Sequence, residues 1–330
     1  MKSVQDGCLF GHHDDTLYGY EWENQPDRSD TKDVCGDYPA VLSLDIRPLE
    51  RISEQERIQH LQQLREETIR HDQRGGIIVF SWHGDNIVTN GNAWDVSDST
   101  TVKKILNDPV IREKYLYWVD VVSDFFKSLK RTDGTTIPVV FRPYHENNGA
   151  HFWWGSKCAS PKEYKTLWKL LVKRFRRNKV RNLLYAYSPG STFKDETDYL
   201  QRYPGNKYVD ILGFDCYCLH DARRTPEEDR IAYVKRADSS LSLITEIAKK
   251  RHKLVAFTET GIKYVDDEQW WTEGLLPLLS KYPVTYVVVW RNATRNDAEC
   301  WGVYPGHSSE SDFKLFHKSP ITKFCKSISL

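Results

Sequence analysis

Eight short apolar runs punctuate the chain: Cys8–Gly11, Ala40–Asp45, Gly76–Trp82, Ile137–Arg142, Asn182–Tyr187, Val209–Phe214, Lys253–Thr258 and Val284–Trp290. Most are rich in Val, Ile, Phe and Tyr and end in polar residues. Continuous apolar strands of this length fit a parallel sheet buried on both faces. Between them the pattern lengthens to the helical period. Ser53–Arg74 opens with Ser-Glu-Gln-Glu, where a Ser cap and Glu56 form a capping-box signature, and stops before Gly75-Gly76. Val110–Lys130, Ser160–Asn178, Thr225–Arg251 and Asp267–Tyr282 follow, with Pro161 and Pro226 at starts where a missing N–H costs nothing. Eight strands with helices between many of them predict an α/β fold, a (β/α)8 TIM barrel, as one catalytic domain over residues 1–330. A doubly wound open sheet is the alternative, but no G-x-G-x-x-G or phosphate loop supports it.

In such a barrel the site lies at the C-terminal strand ends. The residues there are His12, His13, Asp14 and Asp15, then Asp45, His83 and Asp85, then His145 and Glu146. Ser188, Asp215, Tyr217, Glu259, Trp290, Arg291 and Asn292 complete the rim. Carboxylates, His and Trp in this mixture suit sugar cleavage better than phosphate binding.

Composition narrows the class. The 39% hydrophobic content supports a sizeable core, and no run of about 18 apolar residues marks a membrane span. The mean hydropathy of −0.62 points to a soluble protein. Net charge is +1, so the basic excess of a nucleic-acid binder is missing. The basic stretch Lys169–Arg181 carries periodic apolar partners and reads as the wet face of a helix. Eleven Trp are many for an ordinary core, and flat apolar rings suit the C–H faces of sugars. The seven Cys show no pair of C-x-x-C motifs, so a structural zinc is not expected, and their odd number leaves at least one thiol outside any internal pairing.

Two segments carry chemistry. Val139–Gly155 reads VVFRPYHENNGAHFWWG: an apolar strand runs into Arg142, His145 and Glu146, then a polar turn, then aromatic residues. Leu254–Gly261 reads LVAFTETG, with Glu259 directly after a buried strand. An unpaired carboxylate there would be costly to bury, and Arg142 and Tyr217 are its expected partners. Retaining glycosidases need two carboxyl groups about 5–5.5 Å apart, one protonated to serve the leaving oxygen and one ionised to attack the anomeric carbon. Glu146 ends the fourth run and Glu259 the seventh.

LFGHHDDTLYG, KDVCGDYPAVLSLD, IIVFSWHGDN with Trp94, RPYHENNGAHFWWG, GFDCY, AFTETG, VVWRNA and VYPGHSSESDFKLF follow one another in the chain. On these motifs, over nearly its whole length, the sequence resembles glycoside hydrolase family 26, chiefly the β-mannanases of bacterial type. The resemblance implies a (β/α)8 barrel and hydrolysis of β-1,4-mannosidic bonds in mannan, glucomannan or galactomannan with retention of configuration. It makes Glu146 the acid/base, Glu259 the nucleophile and Tyr217 the tyrosine that hydrogen-bonds the nucleophile. His83, Trp94, His145, His151, Trp154, Tyr217, Trp290 and Arg291 become the expected substrate contacts. Of the two adjacent indoles, Trp154 is assigned to the cleft and Trp153 to the core. At one position the chain departs from the pattern: His151 stands where these mannanases usually carry Trp, so a hydrogen-bonding ring replaces a stacking surface.

No cofactor or metal is expected. His12-His13-Asp14-Asp15 looks like a ligand cluster, yet neighbours on a strand alternate faces and cannot converge on one ion. Asp215 and Tyr217 share a face, and Trp301 is either a stacking platform or a loop anchor. The expected partner is a β-mannan-type polysaccharide or oligosaccharide, with no nucleic acid, and the chain itself is expected to be a monomer. MKSVQDGCLF lacks an apolar signal core. The expected location is nonetheless secreted, periplasmic or cell-surface, with residues 1–7 a flexible N-terminal remnant. The rivals are another β-glycan hydrolase of this family (mixed-linkage glucanase or β-1,3-xylanase), a non-catalytic carbohydrate-binding protein, and a metal-dependent hydrolase.

Overall fold

Each of the eight apolar runs is a strand in the computed structural model, which describes residues 7–47, 49–293 and 299–328. They are β1 (Cys8–His13), β2 (Val41–Asp45), β3 (Ile77–Trp82), β4 (Val139–Pro143), β5 (Leu183–Tyr187), β6 (Ile211–Asp215), β7 (Leu254–Thr260) and β8 (Val284–Val289). The expectation for the N-terminal remnant falls, for residues 1–6, outside the described residues. All eight belong to one parallel sheet that follows chain order, with β8 pairing β1 and a short ninth strand, Thr322–Lys323, beside β1. This is the (β/α)8 arrangement.

Contacts divide the chain into two compact units. The first comprises Met1–Ser43, Gln73–Ile77 and Leu212–Leu330; the second, Leu44–Asp72 and Ile78–Ile211. In the first, β1 pairs β8 from Leu9↔Tyr286 to His12↔Val289, and β7 pairs β8 from Val255↔Val284. In the second, β3 pairs β4 from Ile78↔Val139 to Trp82↔Pro143, and β4 pairs β5 from Val139↔Leu183. β2, β3 and β6 each run from one unit into the other.

The helices form where their caps predict. Ser160 and Thr225 make full capping boxes with Glu163 and Glu228, each ahead of a Pro in the first turn. Ser53 and Glu56 exchange the same two bonds, at 2.8 and 3.2 Å, before Glu54–Gln73. That helix ends ahead of Gly75, whose φ of +81° few other residues adopt readily. Pro161–Arg177 buries Tyr164, Leu167, Trp168, Leu171, Val172 and Phe175 on one stripe, while Lys173, Arg176 and Arg177 face water. The basic stretch is therefore a solvated face.

One helix starts late. The pattern predicts Asp267–Tyr282, but a π-helical turn spans Trp270–Leu275 and α-helix only Leu276–Lys281. Pro277 has no N–H to return to the preceding turn, which favours the wider hydrogen-bond spacing before it. No helix among the described residues is long and apolar enough to cross a membrane. All seven Cys are unbridged.

Candidate active site

In the second unit, the chain leaving β4 turns sharply. Tyr144 and Glu146 both sit at φ +49°, a left-handed conformation that costs a non-glycine residue roughly 1–3 kcal/mol. Surrounding bonds hold it. The Tyr164 hydroxyl donates to the Tyr144 carbonyl at 3.0 Å, the Glu146 N–H donates to the Ser188 carbonyl at 2.8 Å, and Gly149 closes the turn on the Glu146 carbonyl at 2.9 Å. The result leaves the Glu146 side chain half-buried while its neighbours His145 and Asn147 are buried.

His145 is buried, and burial first, then the charge of Arg142 and the neighbouring His83, hold its pKa well below the ordinary imidazole value. It is therefore a neutral ring at neutral pH. His83, at the end of β3, is fixed from behind by Asp45 at the end of β2, which bonds its Nδ1 and accepts its backbone N–H at 3.2 Å. Ser81 holds the same carboxylate at 2.8 Å. Trp94 stacks on His83 with ring centroids 5.2 Å apart and 10° between planes, and is 53% exposed. Its open face is available to a ligand. The His151 ring packs on Phe152 at 4.2 Å and brings Nε2 to 2.9 Å from Oε2 of Glu146. Arg142 is buried, with Nη1 donating to Ser188 Oγ at 3.2 Å.

Trp154 is corrected. Expected at the cleft, it is fully buried, like Trp153. Its Nε1 donates to the His145 carbonyl at 2.8 Å, and its ring stacks on Phe152 at 4.4 Å. The Trp153 Nε1 reaches the Gly84 carbonyl at 2.9 Å. Both indoles find backbone acceptors inside, so neither needs water or a ligand.

In the first unit, Glu259 lies on β7 and is 5% exposed. The Tyr217 hydroxyl donates to its Oε1, and its carbonyl accepts the Cys216 N–H at 3.0 Å, tying β7 to the end of β6. Thr258 bonds both the Phe214 carbonyl and Asp215 Oδ1 at 2.8 Å. A Cβ at Gly213 would meet Thr258 at 2.5 Å, so glycine is required for this close approach. Asp215 is thus held by the neighbouring strand. Trp301 packs against Tyr217 at 4.4 Å and is partly exposed, and its Cβ crowds Gly261.

The end of β8 supplies a second aromatic platform. Trp290 stacks on His13 at 4.0 Å and 22°, and His13 is held by Ser43 at 2.9 Å. Arg291 donates to the Tyr18 hydroxyl at 3.3 Å, and Tyr18 donates in turn to Asp14 at 2.5 Å. His12 bonds Asp15 at 3.0 Å and Thr31 at 3.1 Å. The His-His-Asp-Asp segment therefore splits between separate partners.

Several contributors escaped the sequence reading. Phe152 backs both His83 and His151, yet within an aromatic run nothing singled it out. Tyr18 orders Arg291 across 273 residues of chain, a relation no local pattern carries.

Residues 2–271 match the profile of Glycosyl hydrolase family 26. A mannan endo-1,4-β-mannosidase of Bifidobacterium adolescentis is 33% identical over 88% of this chain, which spans 30% of that protein's length. One of Bacillus subtilis is 28% identical over 85% of this chain and 73% of its own. Among solved structures, a GH26 β-mannanase from Bacteroides ovatus superposes with TM-score 0.91 at 42% identity, covering 100% of this chain and 94% of that one. An endo-β-1,4-mannanase double mutant from Cellulomonas fimi gives TM-score 0.85 at 32% identity, over 97% and 72%. With these similarities over nearly its whole length, the chain belongs to glycosyl hydrolase family 26.

Proposed function

We propose that the chain is a retaining glycoside hydrolase that cuts internal β-1,4-mannosidic bonds of mannan, glucomannan or galactomannan. The observation that carries this is the contrast between two strand-end glutamates. Glu259 is buried and takes a hydroxyl donor from Tyr217, and that hydrogen bond, not the burial, favours the charged form. Glu146 is more exposed and rides a strained turn beside a neutral His145. Two carboxyl groups in unlike settings suit two roles. The relatives named as mannan endo-1,4-β-mannosidases support the choice of polymer.

In the first step Glu146 gives its proton to the leaving glycosidic oxygen while the Glu259 carboxylate attacks the anomeric carbon and the old C–O bond breaks. In the second, Glu146 takes a proton from water, the water oxygen attacks the same carbon, and Glu259 departs as carboxylate. Tyr217 and Arg142 keep Glu259 ionised and oriented. His83, Trp94, His145, Trp290 and Arg291 contact the sugars. The chain works as one catalytic domain and a monomer, without nucleic acid, in a secreted, periplasmic or cell-surface setting.

The test is Glu259→Ala assayed on mannan, lichenan and β-1,3-xylan beside the parent protein. Release of manno-oligosaccharides by the parent, and their loss in a variant with native circular dichroism, is expected. Full activity in the variant removes the assignment, and products from lichenan or xylan alone replace the polymer.

A further inference from the structure

The Glu146 carboxyl is half open, and the last torsion of a glutamate side chain is broad, so nothing intrinsic to the residue aims its two oxygens. His151 supplies what is missing. Its Nε2 sits 2.9 Å from Oε2, the ring is packed on Phe152 at 4.2 Å, and the side chain is 45% exposed. The seat for this ring is built into the turn. A Cβ at Gly149 would lie 2.9 Å from both Cε1 and Nδ1 of His151, so any larger residue there would push the imidazole away. The contact thus joins three features: a left-handed backbone at Glu146, a glycine three residues on, and an aromatic support.

We infer that His151 is a positioning residue for the acid/base: it holds one carboxyl oxygen of Glu146 so that the other is presented to the scissile glycosidic oxygen. This rests on Glu146 being the acid/base. It differs from a sugar-contact role, because its effect grows with how much the leaving group needs a proton.

The experiment measures kcat/KM for a series of aryl β-mannobiosides from 2,4-dinitrophenyl to phenyl, with the parent protein, His151→Leu, His151→Gln and Glu146→Ala. The aryl group occupies the same place throughout, so a lost contact with the leaving part lowers every rate alike. The expected result for His151→Leu is little change on the dinitrophenyl compound and about a tenfold loss on the phenyl compound, the scale of one lost hydrogen bond. His151→Gln, whose amide can still reach the carboxyl, should recover most of that loss. A uniform fall across the series, no fall, or equal losses in the Leu and Gln variants would overturn the inference. If Glu146→Ala itself loses activity equally on every leaving group, the acid/base assignment fails first and is distinguished from failure at His151.

Discussion

The indole Nε1 of Trp154 donates to the backbone carbonyl of His145 at 2.8 Å, a bond made wholly inside the protein. It ties the residue before Glu146 to the aromatic layer of Phe152 and Trp153. Trp154 therefore acts through stability. Trp154→Ala should cost about 3–5 kcal/mol, as for large core aromatics, read as a lower urea midpoint. A stability change within about 0.5 kcal/mol, typical of surface sites, would return Trp154 to the cleft.

Trp94 is the opposite case. With 53% of its surface open, and with His83 and Phe152 against its ring, it contributes little to the core. Trp94→Ala should change stability by less than about 0.5 kcal/mol. It should lower kcat/KM on mannotetraose roughly tenfold, the scale of one lost aromatic contact. Isothermal denaturation and steady-state kinetics on the same preparation separate the two effects.

Tyr217→Phe removes one donor to the Glu259 carboxylate, and the ring can stay packed on Trp301. A hydrogen bond to a charged group is worth about 1.5–3 kcal/mol, so kcat/KM should fall by roughly 10- to 150-fold. Unchanged kinetics would mean the hydroxyl does not hold the nucleophile during turnover.

His145 gives the fold a pH dependence with a definite sign. The native chain holds its imidazole neutral well below the ordinary value of 6.5, through burial, then Arg142, then His83. Below that pH the unfolded chain takes up a proton the native chain refuses. The contribution is thus fully present above about pH 6.5 and is lost as pH falls toward the depressed native value, at up to about 1.4 kcal/mol per pH unit. His145→Gln should flatten this part of the stability profile in urea titrations between pH 4 and 7. A parallel curve would show that another group sets the slope.

All eight strands were legible because each is a continuous apolar run closed by a polar residue, and both glutamates stood out as strand-end carboxylates. The capped helices at Ser53, Ser160 and Thr225 were legible for the same local reason. What the pattern could not carry was direction. Trp153 and Trp154 were expected to divide between core and cleft, but a carbonyl acceptor lies within reach of each inside the protein. The helix near Trp270 shifted because Pro277 acts on the turn before it. The short helices Asp30–Cys35 and Thr101–Asn107 carry too few residues for a periodic signal and are set by tertiary contacts.

The role of Glu259 is tested most directly by trapping it. Incubation with 2-deoxy-2-fluoro-β-mannobiosyl fluoride, followed by proteolysis and mass spectrometry, should find one fluorinated mannobiosyl group in ester linkage to the peptide carrying Glu259, with activity lost in step with labelling. A label on any other side chain would contradict the assignment, as would untrapped turnover that releases inverted product.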